Sequence, residues 1–335
     1  MKTAIARQAI IYLGSYLQNL SEEEMLEIGY RANSQNGWFT PEQVKYTLKY
    51  WAKALETNNL DTWLQPYAIP ENAQPKKVGI IMAGNIPLVG FHDLISVLLS
   101  SHIACCKLSS QDTYLPSLLI DKMSELEPDI KNQIEIRERL SNIDAVIATG
   151  SNNSARYFKQ YFGHLPHIIR KNRHSVAILE GNESPAELEK LGLDMLQYYG
   201  LGCRSVSKLL VPKGYNFTPF FEAIEPYQNI TTNHKWVNNY DYHKSIYLIN
   251  KEDHLDNGFL LLKESEALGG PVSVVYFQYY NNHKELAQWF STHKDELQCI
   301  VGNSTLADNG FGQAQKPQLA NFADGIDTVA FLLAL

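Results

Sequence analysis

The spacing of apolar residues changes partway along the chain, and the change marks out its architecture. Up to about residue 60 the apolar positions recur at helical intervals. Thr40-Pro41-Glu42-Gln43 is a helix start. Thr40 suits the N-cap, Pro41 the first helical position, and Gln43 the capping-box position. The helix is predicted to run through Trp51 toward Leu55 and to end at Asn58 and Asn59. From Lys77 short apolar runs alternate with helical stretches. Residues 78–83 (VGIIMA), 103–108 (IACCKL) and 143–148 (IDAVIA) read as buried strands. Residues 90–101, 114–126 and 154–162 read as helices. This alternation predicts α/β architecture, a parallel sheet with helices on both faces.

The pattern continues beyond Ser175. Residues 175–179 (SVAIL), 206–211 and 273–278 read as strands, and 299–301 as a strand end. Ser184-Pro185-Ala186-Glu187 is a capping box. Its helix carries Leu188, Leu191, Met195, Leu196 and Tyr199 on one side and is predicted to stop at Gly200. Residues 283–293 read as a further helix. The tail, 311–335, ends on an apolar stretch expected to pack back on the body.

Composition narrows the function classes. A chain of 335 residues is long enough for two domains, and 44% hydrophobic with 19% charged residues is ordinary for a soluble globular protein. A net charge of −7 argues against a nucleic-acid or anionic-membrane partner. Four cysteines without a C-x-x-C spacing make neither a disulfide framework nor an assigned metal site. Cys105, Cys106 and Cys299 sit among apolar residues as small core hydrophobes, which suits a reducing compartment. Residues 4–20 carry Arg7 and Gln8 and lack a convincing cleavage site, and no run of about 18 apolar residues occurs. A cytoplasmic protein with no integral membrane segment is expected.

Cys203 is the thiol with chemical promise. Gly200 and Gly202 clear side chains from around it, so a substrate can approach, and thiolates attack acyl groups well. It follows the negative end of a helix, whose dipole would not favour the thiolate if the thiol points back at it. Activation must come from elsewhere, such as Arg204 or a bound ligand. Three turns fall where a parallel sheet binds ligands: Gly84-Asn85-Ile86-Pro87, Lys107-Leu108-Ser109-Ser110 and Thr149-Gly150-Ser151-Asn152. None is G-x-G-x-x-G or a P-loop. The last opens a helix, so its amides suit a phosphate.

In order, these segments are VGIIMAGNIP (78–87), CCKLSS (105–110), ATGSNN (148–153), GLGCRSVSKL (200–209) and ESEALGGPVSVV (264–275). The series resembles the aldehyde dehydrogenase superfamily, and more closely its LuxC-like acyl-CoA reductase branch, which the closing FGQAQKPQLANFADGIDTVAFLL (311–333) also resembles. The resemblance covers roughly residues 77–335. It implies an aldehyde dehydrogenase-like fold of two α/β domains with parallel-type sheets and an N-terminal helical segment. Residues 1–175 would hold the helices and the dinucleotide-binding domain, 176–310 the catalytic Cys domain, and 311–335 the segment packing back.

The resemblance also implies roles. Cys203 would form a thioester with the substrate acyl group. The Asn85 side chain and the Cys203 N–H would form the oxyanion hole. Lys107 and Ser109 would hold the adenosine ribose, Gly150 and Ser151 would lie near the pyrophosphate and nicotinamide, and Glu266 would contact the nicotinamide ribose. Two departures from the superfamily matter. The Glu that activates water in hydrolytic members is absent from the matching residues 168–173. The acidic residue that repels a 2′-phosphate is replaced near Ser110, so NADPH is expected and NADH allowed. The implied reaction is NAD(P)H-dependent reduction of an acyl-CoA, or of an acyl-protein thioester, to an aldehyde. The alternatives are an aldehyde dehydrogenase releasing free acid with Glu180 or Glu266 as base, and a non-redox acyl-thioester binding or transfer protein. Relatives generally associate, so a homo-oligomer is open, as is acyl chain length.

Other chemistry-bearing residues have bland readings beside them. His102, His164 and His167 are expected to be structural. Tyr157, Phe158, Tyr161, Tyr198 and Tyr199 suit either an apolar tunnel or plain core, with core the commoner case. The Arg170–Arg173 cluster suits either ligand phosphates or a solvated strand edge.

Overall fold

The computed structural model describes residues 2–70 and 74–335. It has two compact units: residues up to Asn172 together with Gln318–Leu335, and Arg173–Pro317.

The first unit begins with four helices, α1 (Lys2–Asn19), α2 (Glu22–Gln35), α3 (Pro41–Ala54) and α4 (Thr57–Leu64). Pro41 starts α3, while the Thr40 side chain makes no capping bond. Asn58 and Asn59 lie inside α4 rather than at the end of α3. Asn59 nevertheless closes α3, because its Nδ2 donates to the Lys53 carbonyl at 2.8 Å. Then come β1 (Lys77–Ile81), α5 (Phe91–Leu99), β2 (Ile103–Lys107), α6 (Tyr114–Leu126), β3 (Ile134–Ile136), β4 (Ala145–Thr149), α7 (Asn152–Phe162) and β5 (His167–Arg170). The sheet has the order β3-β2-β1-β4-β5, with every pair parallel.

In α5, Phe91, Leu94, Ile95, Val97, Leu98 and Leu99 are all buried, and so are Asp93 and Ser96 between them, so the helix is enclosed on nearly every side. The C-terminal helix Thr328–Leu333 joins this core through Val329 and Leu332. His102 ties the pieces together. Its Nδ1 accepts from Lys76 N at 3.1 Å and its Nε2 donates to Leu332 O at 2.8 Å. Both ring nitrogens are satisfied and burial lowers the pKa, so His102 is a neutral structural residue.

The second unit runs β6 (His174–Ile178), α8 (Pro185–Leu196), β7 (Val206–Pro212), α9 (Thr218–Ala223), α10 (His234–Asn250), β8 (Leu255–Asp256), β9 (Leu261–Glu264), β10 (Val274–Tyr280), α11 (His283–His293) and β11 (Leu297–Val301). Its sheet order is β11-β6-β7-β10-β9-β8, parallel except for β8 against β9. The pattern of aliphatic residues left 213–250 unassigned. α10 fills much of it and buries aromatics instead: Trp236, Tyr240 and Tyr247. Among the described residues no helix is long and apolar enough to cross a membrane.

Candidate active site

The turn carrying Cys203 is built by the residues before it. The Ser184–Glu187 capping box starts α8 as its sequence dictates, but the helix ends at Leu196, not Gly200. Tyr198 (φ 54°), Tyr199 (φ 57°) and Gly200 (φ 68°) follow in left-handed conformation. The two tyrosines pay about 1 kcal/mol or more each for that backbone. They hold it because both rings are core, with Tyr199 6.2 Å from Trp236 between ring centroids. Leu201 N donates to Tyr198 O at 3.1 Å, and Ser205 N to Gly202 O at 3.0 Å. Cys203 thus sits in a tight turn between a left-handed kink and β7.

Neighbouring groups pin this turn. Ser175 Oγ on β6 donates to the Cys203 carbonyl at 2.8 Å. Arg204 Nε donates to Ala314 O at 2.6 Å. The buried Asp194 on α8 accepts from Gly312 N (2.6 Å) and Ala314 N (2.9 Å), and Gln315 Nε2 donates to Ser205 Oγ at 3.2 Å. Residues 312–315 therefore brace the turn from behind. Cys203 is half-buried, whereas Cys105, Cys106 and Cys299 are buried. Burial pushes all three of those thiols up, Cys299 to about 11. They are unreactive core groups.

Glu266 lies on the crossover 265–273, between the parallel neighbours β9 and β10. Lys208 is fully buried on β7, and its Nζ donates to Ser265 O (2.8 Å), Glu266 O (3.0 Å) and Ala267 O (3.1 Å). Ser207 Oγ donates to Leu268 O at 3.0 Å. The glycines that follow are dictated by close approach: a Cβ on Gly269 would lie 2.5 Å from the His174 ring, and one on Gly270 2.6 Å from Val274 O. The Glu266 side chain itself is exposed. Glu180, two residues past the carboxyl end of β6, lies at the opposite sheet edge from Cys203, whose carbonyl is bound near the start of β6. Its partner is His283, at 3.6 Å.

In the first unit, Lys107 is the last residue of β2, and Asn85, Ser109, Ser110, Gly150 and Ser151 follow strand carboxyl ends. The strand order reverses at β1, between β2 and β4, and such a reversal opens a ligand crevice. Met82 N donates to Lys107 O at 3.1 Å, which locks the first two turns together. Gly84 is required there, because a Cβ would meet Ser109 Oγ at 2.5 Å. Asn85, Lys107, Ser110 and Ser151 are exposed and Ser109 half-buried. Ser151 N-caps α7, its Oγ accepting from Ser154 N at 3.1 Å. This edge presents ammonium, hydroxyl and helix N-terminal groups, a set that fits the phosphates and ribose of a dinucleotide.

Asp112 faces inward at the same edge. Its buried Oδ2 accepts from Leu88 N at 2.8 Å, and burial raises its pKa to about 7. A raised folded pKa means that the folded state holds this proton where the unfolded state has lost it. Stability from Asp112 is therefore lost as pH rises from about 4 to about 7. Urea unfolding at pH 5 and pH 8 checks this: Asp112→Asn reduces the fall in stability between the two, and an unchanged fall contradicts it.

Several basic and aromatic candidates fall away from ligand chemistry. Arg170 is buried, not phosphate-facing or solvated: it donates to Asp93 Oδ2 at 2.7 Å and Thr328 Oγ1 at 2.9 Å. Arg173 donates to Leu297 O at 2.9 Å. Tyr198 and Tyr199 are core, while Tyr157 and Tyr161 are exposed on α7. His167 Nδ1 donates to Leu165 O at 2.8 Å. Among the described residues no group of three or more His, Cys, Asp or Glu is placed to hold a metal ion.

The comparisons with known proteins agree on fold and family. An NAD-dependent aldehyde dehydrogenase from Sinorhizobium meliloti matches with a TM-score of 0.63 at 11% identity, over 91% of this chain and 71% of that one. An acetylating aldehyde dehydrogenase from Geobacillus thermoglucosidasius matches at 0.61 and 12%, over 90% and 76%. The NAD+ complex of an aldehyde dehydrogenase from Bacillus cereus matches at 0.57 and 14%, over 90% and 72%. At such identities these likenesses establish the aldehyde dehydrogenase fold. No curated protein matches. The acyl-CoA reductase (LuxC) family model matches residues 7–219, which include Cys203 and the three first-unit turns but stop short of Glu266. The chain therefore belongs to the acyl-CoA reductase (LuxC) family, an oxidoreductase on the aldehyde dehydrogenase fold.

Proposed function

We propose that this protein reduces an acyl thioester to an aldehyde through an acyl group carried on Cys203, with NADPH as the reductant. The observation that carries this reading is the Cys203 turn: the one half-buried thiol among four, on a glycine-flanked segment held by Ser175, Ala314 and Gln315. The Cys203 thiolate attacks the acyl carbonyl, and the carrier thiolate leaves and takes up a proton. The Asn85 side-chain amide and the Cys203 N–H donate to the oxyanion that forms in this step. The bound nicotinamide supplies the hydride. Aldehyde and the Cys203 thiolate then separate, so one acyl thioester, one NADPH and one proton give one aldehyde, one NADP+ and one free thiol.

Lys107 and Ser109 bind the adenosine ribose, Ser110 lies beside its 2′ position, Gly150 and Ser151 lie near the pyrophosphate and nicotinamide, and Glu266 contacts the nicotinamide ribose. Asp112, the acidic residue nearest Ser110 in sequence, supports the choice of NADPH, because its side chain is turned inward to Leu88 N and so is not presented to a 2′-phosphate. Hydrolysis of the acyl-Cys is disfavoured: of the two candidate bases, Glu180 sits at the far sheet edge from Cys203, and Glu266 is taken up by the nicotinamide ribose in this reading. Steady-state kinetics test the cofactor. A higher kcat/KM with NADPH than with NADH is expected, with Ser110→Asp shifting the ratio toward NADH. A wild-type preference for NADH contradicts the assignment.

A further inference from the structure

Lys208 is an ammonium buried with no carboxylate bonded to it. Its three N–H donors meet three successive carbonyls, those of Ser265, Glu266 and Ala267, at 2.8–3.1 Å. The Trp289 indole lies on another side, its centroid 5.7 Å from Nζ. An isolated buried charge is costly, so the crossover backbone is folded around the cation much as carbonyls wrap a bound metal ion.

A break in strand register brings the neighbouring residue to the same task. Ser175 pairs with Val206 but Val176 pairs with Lys208, so Ser207 is an extra residue in β7. Such bulges re-aim side chains. Here Ser207 and Lys208 together bind four consecutive carbonyls, 265 to 268. β7 begins three residues after Cys203, so one short segment carries the thiol and holds the loop bearing Glu266.

We propose that Lys208 is a positioning residue for the reaction: its ammonium fixes the 265–268 crossover, presents Glu266 in its working position, and thereby sets cofactor affinity. This rests on the reading that Glu266 contacts the nicotinamide ribose. Burial pulls the Lys208 pKa down to about 8, with Glu266 the charged side chain that opposes the shift and the uncharged Trp289 ring facing it from α11. The clamp therefore loses its charge within an accessible pH range.

The test compares wild type with Lys208→Met, which keeps length without charge, and Lys208→Ala, which leaves room for a small amine. Amide hydrogen exchange, without cofactor, is expected to speed up at least 10-fold in 264–270 of Lys208→Met, with 209–211 unchanged. KM for NADPH rises at least 10-fold while acylation of Cys203 is retained. Ammonium chloride lowers the KM of Lys208→Ala at least 3-fold, and sodium chloride at equal ionic strength does not. Wild-type KM for NADPH rises above pH 8, a measurement that needs no variant to fold. Wild-type protection of 264–270 in both variants overturns the proposal, as does an opened loop with unchanged KM or a flat wild-type pH profile. Failure of the Glu266 reading has a separate signature: NADPH gives wild-type residues 264–270 no added protection.

Discussion

Cys203→Ala is expected to lower aldehyde formation from acyl-CoA by at least about 10³-fold, because no other group in the turn replaces the nucleophile. The fold survives the change. The turn is held by main-chain bonds, by Ser175 Oγ on the Cys203 carbonyl and by residues 312–315, all of which the substitution leaves in place. NADPH binding, followed by fluorescence titration, is retained. Cys299→Ala serves as the comparison. Its thiol is 2% exposed and lies 3.0 Å from Ser175 Oγ, so activity stays within a few-fold of wild type. Comparable loss in both variants would mean that disturbance of this corner, not nucleophilicity, is being measured.

Arg170→Met carries the largest expected cost in stability. Asp93 is buried on the apolar helix α5, and Arg170 is the cation that compensates it, at 2.7 Å. Removing one member of such a pair strands the other charge and costs about 3–5 kcal/mol. The double variant Asp93→Leu/Arg170→Met recovers most of that loss, since no charge is left buried. Urea unfolding of the two variants checks both statements. A single-variant cost below about 1 kcal/mol would contradict the reading that Arg170 compensates a buried charge.

The framework was legible because it rests on local rules. The strands around Val78, Cys105 and Val146, the Ser184 capping box and the glycine-flanked turns follow from apolar runs and punctuating residues. Short strands were not legible: β3 has three residues and β5 four, too few to display a period. The end of α8 was misread for a physical reason. Tyr198 and Tyr199 continue a helical apolar stripe, yet both are drawn into the core in left-handed conformation, which only tertiary packing can impose.

The same limit applies to the site. Arg170 belongs to a basic cluster in sequence, and its partners, Asp93 and Thr328, are 77 and 158 residues away. Asp194, Ser175 and Lys208 act on main-chain atoms of distant segments, which no spacing reveals. Lys208 alone left a trace, as a single charge within the apolar run VSKLLV. A lysine in a strand buried on both faces must find acceptors, and that requirement was readable before the acceptors were known.

The central claim, that Cys203 carries the acyl group, is tested most directly by intact mass. Protein is incubated with acyl-CoA in the absence of NADPH, as wild type and as Cys203→Ala. The account predicts one acyl adduct on the wild type, discharged as aldehyde on addition of NADPH, and none on the variant. An adduct of equal yield on Cys203→Ala, or aldehyde formation by wild type with no adduct at any time, would contradict it.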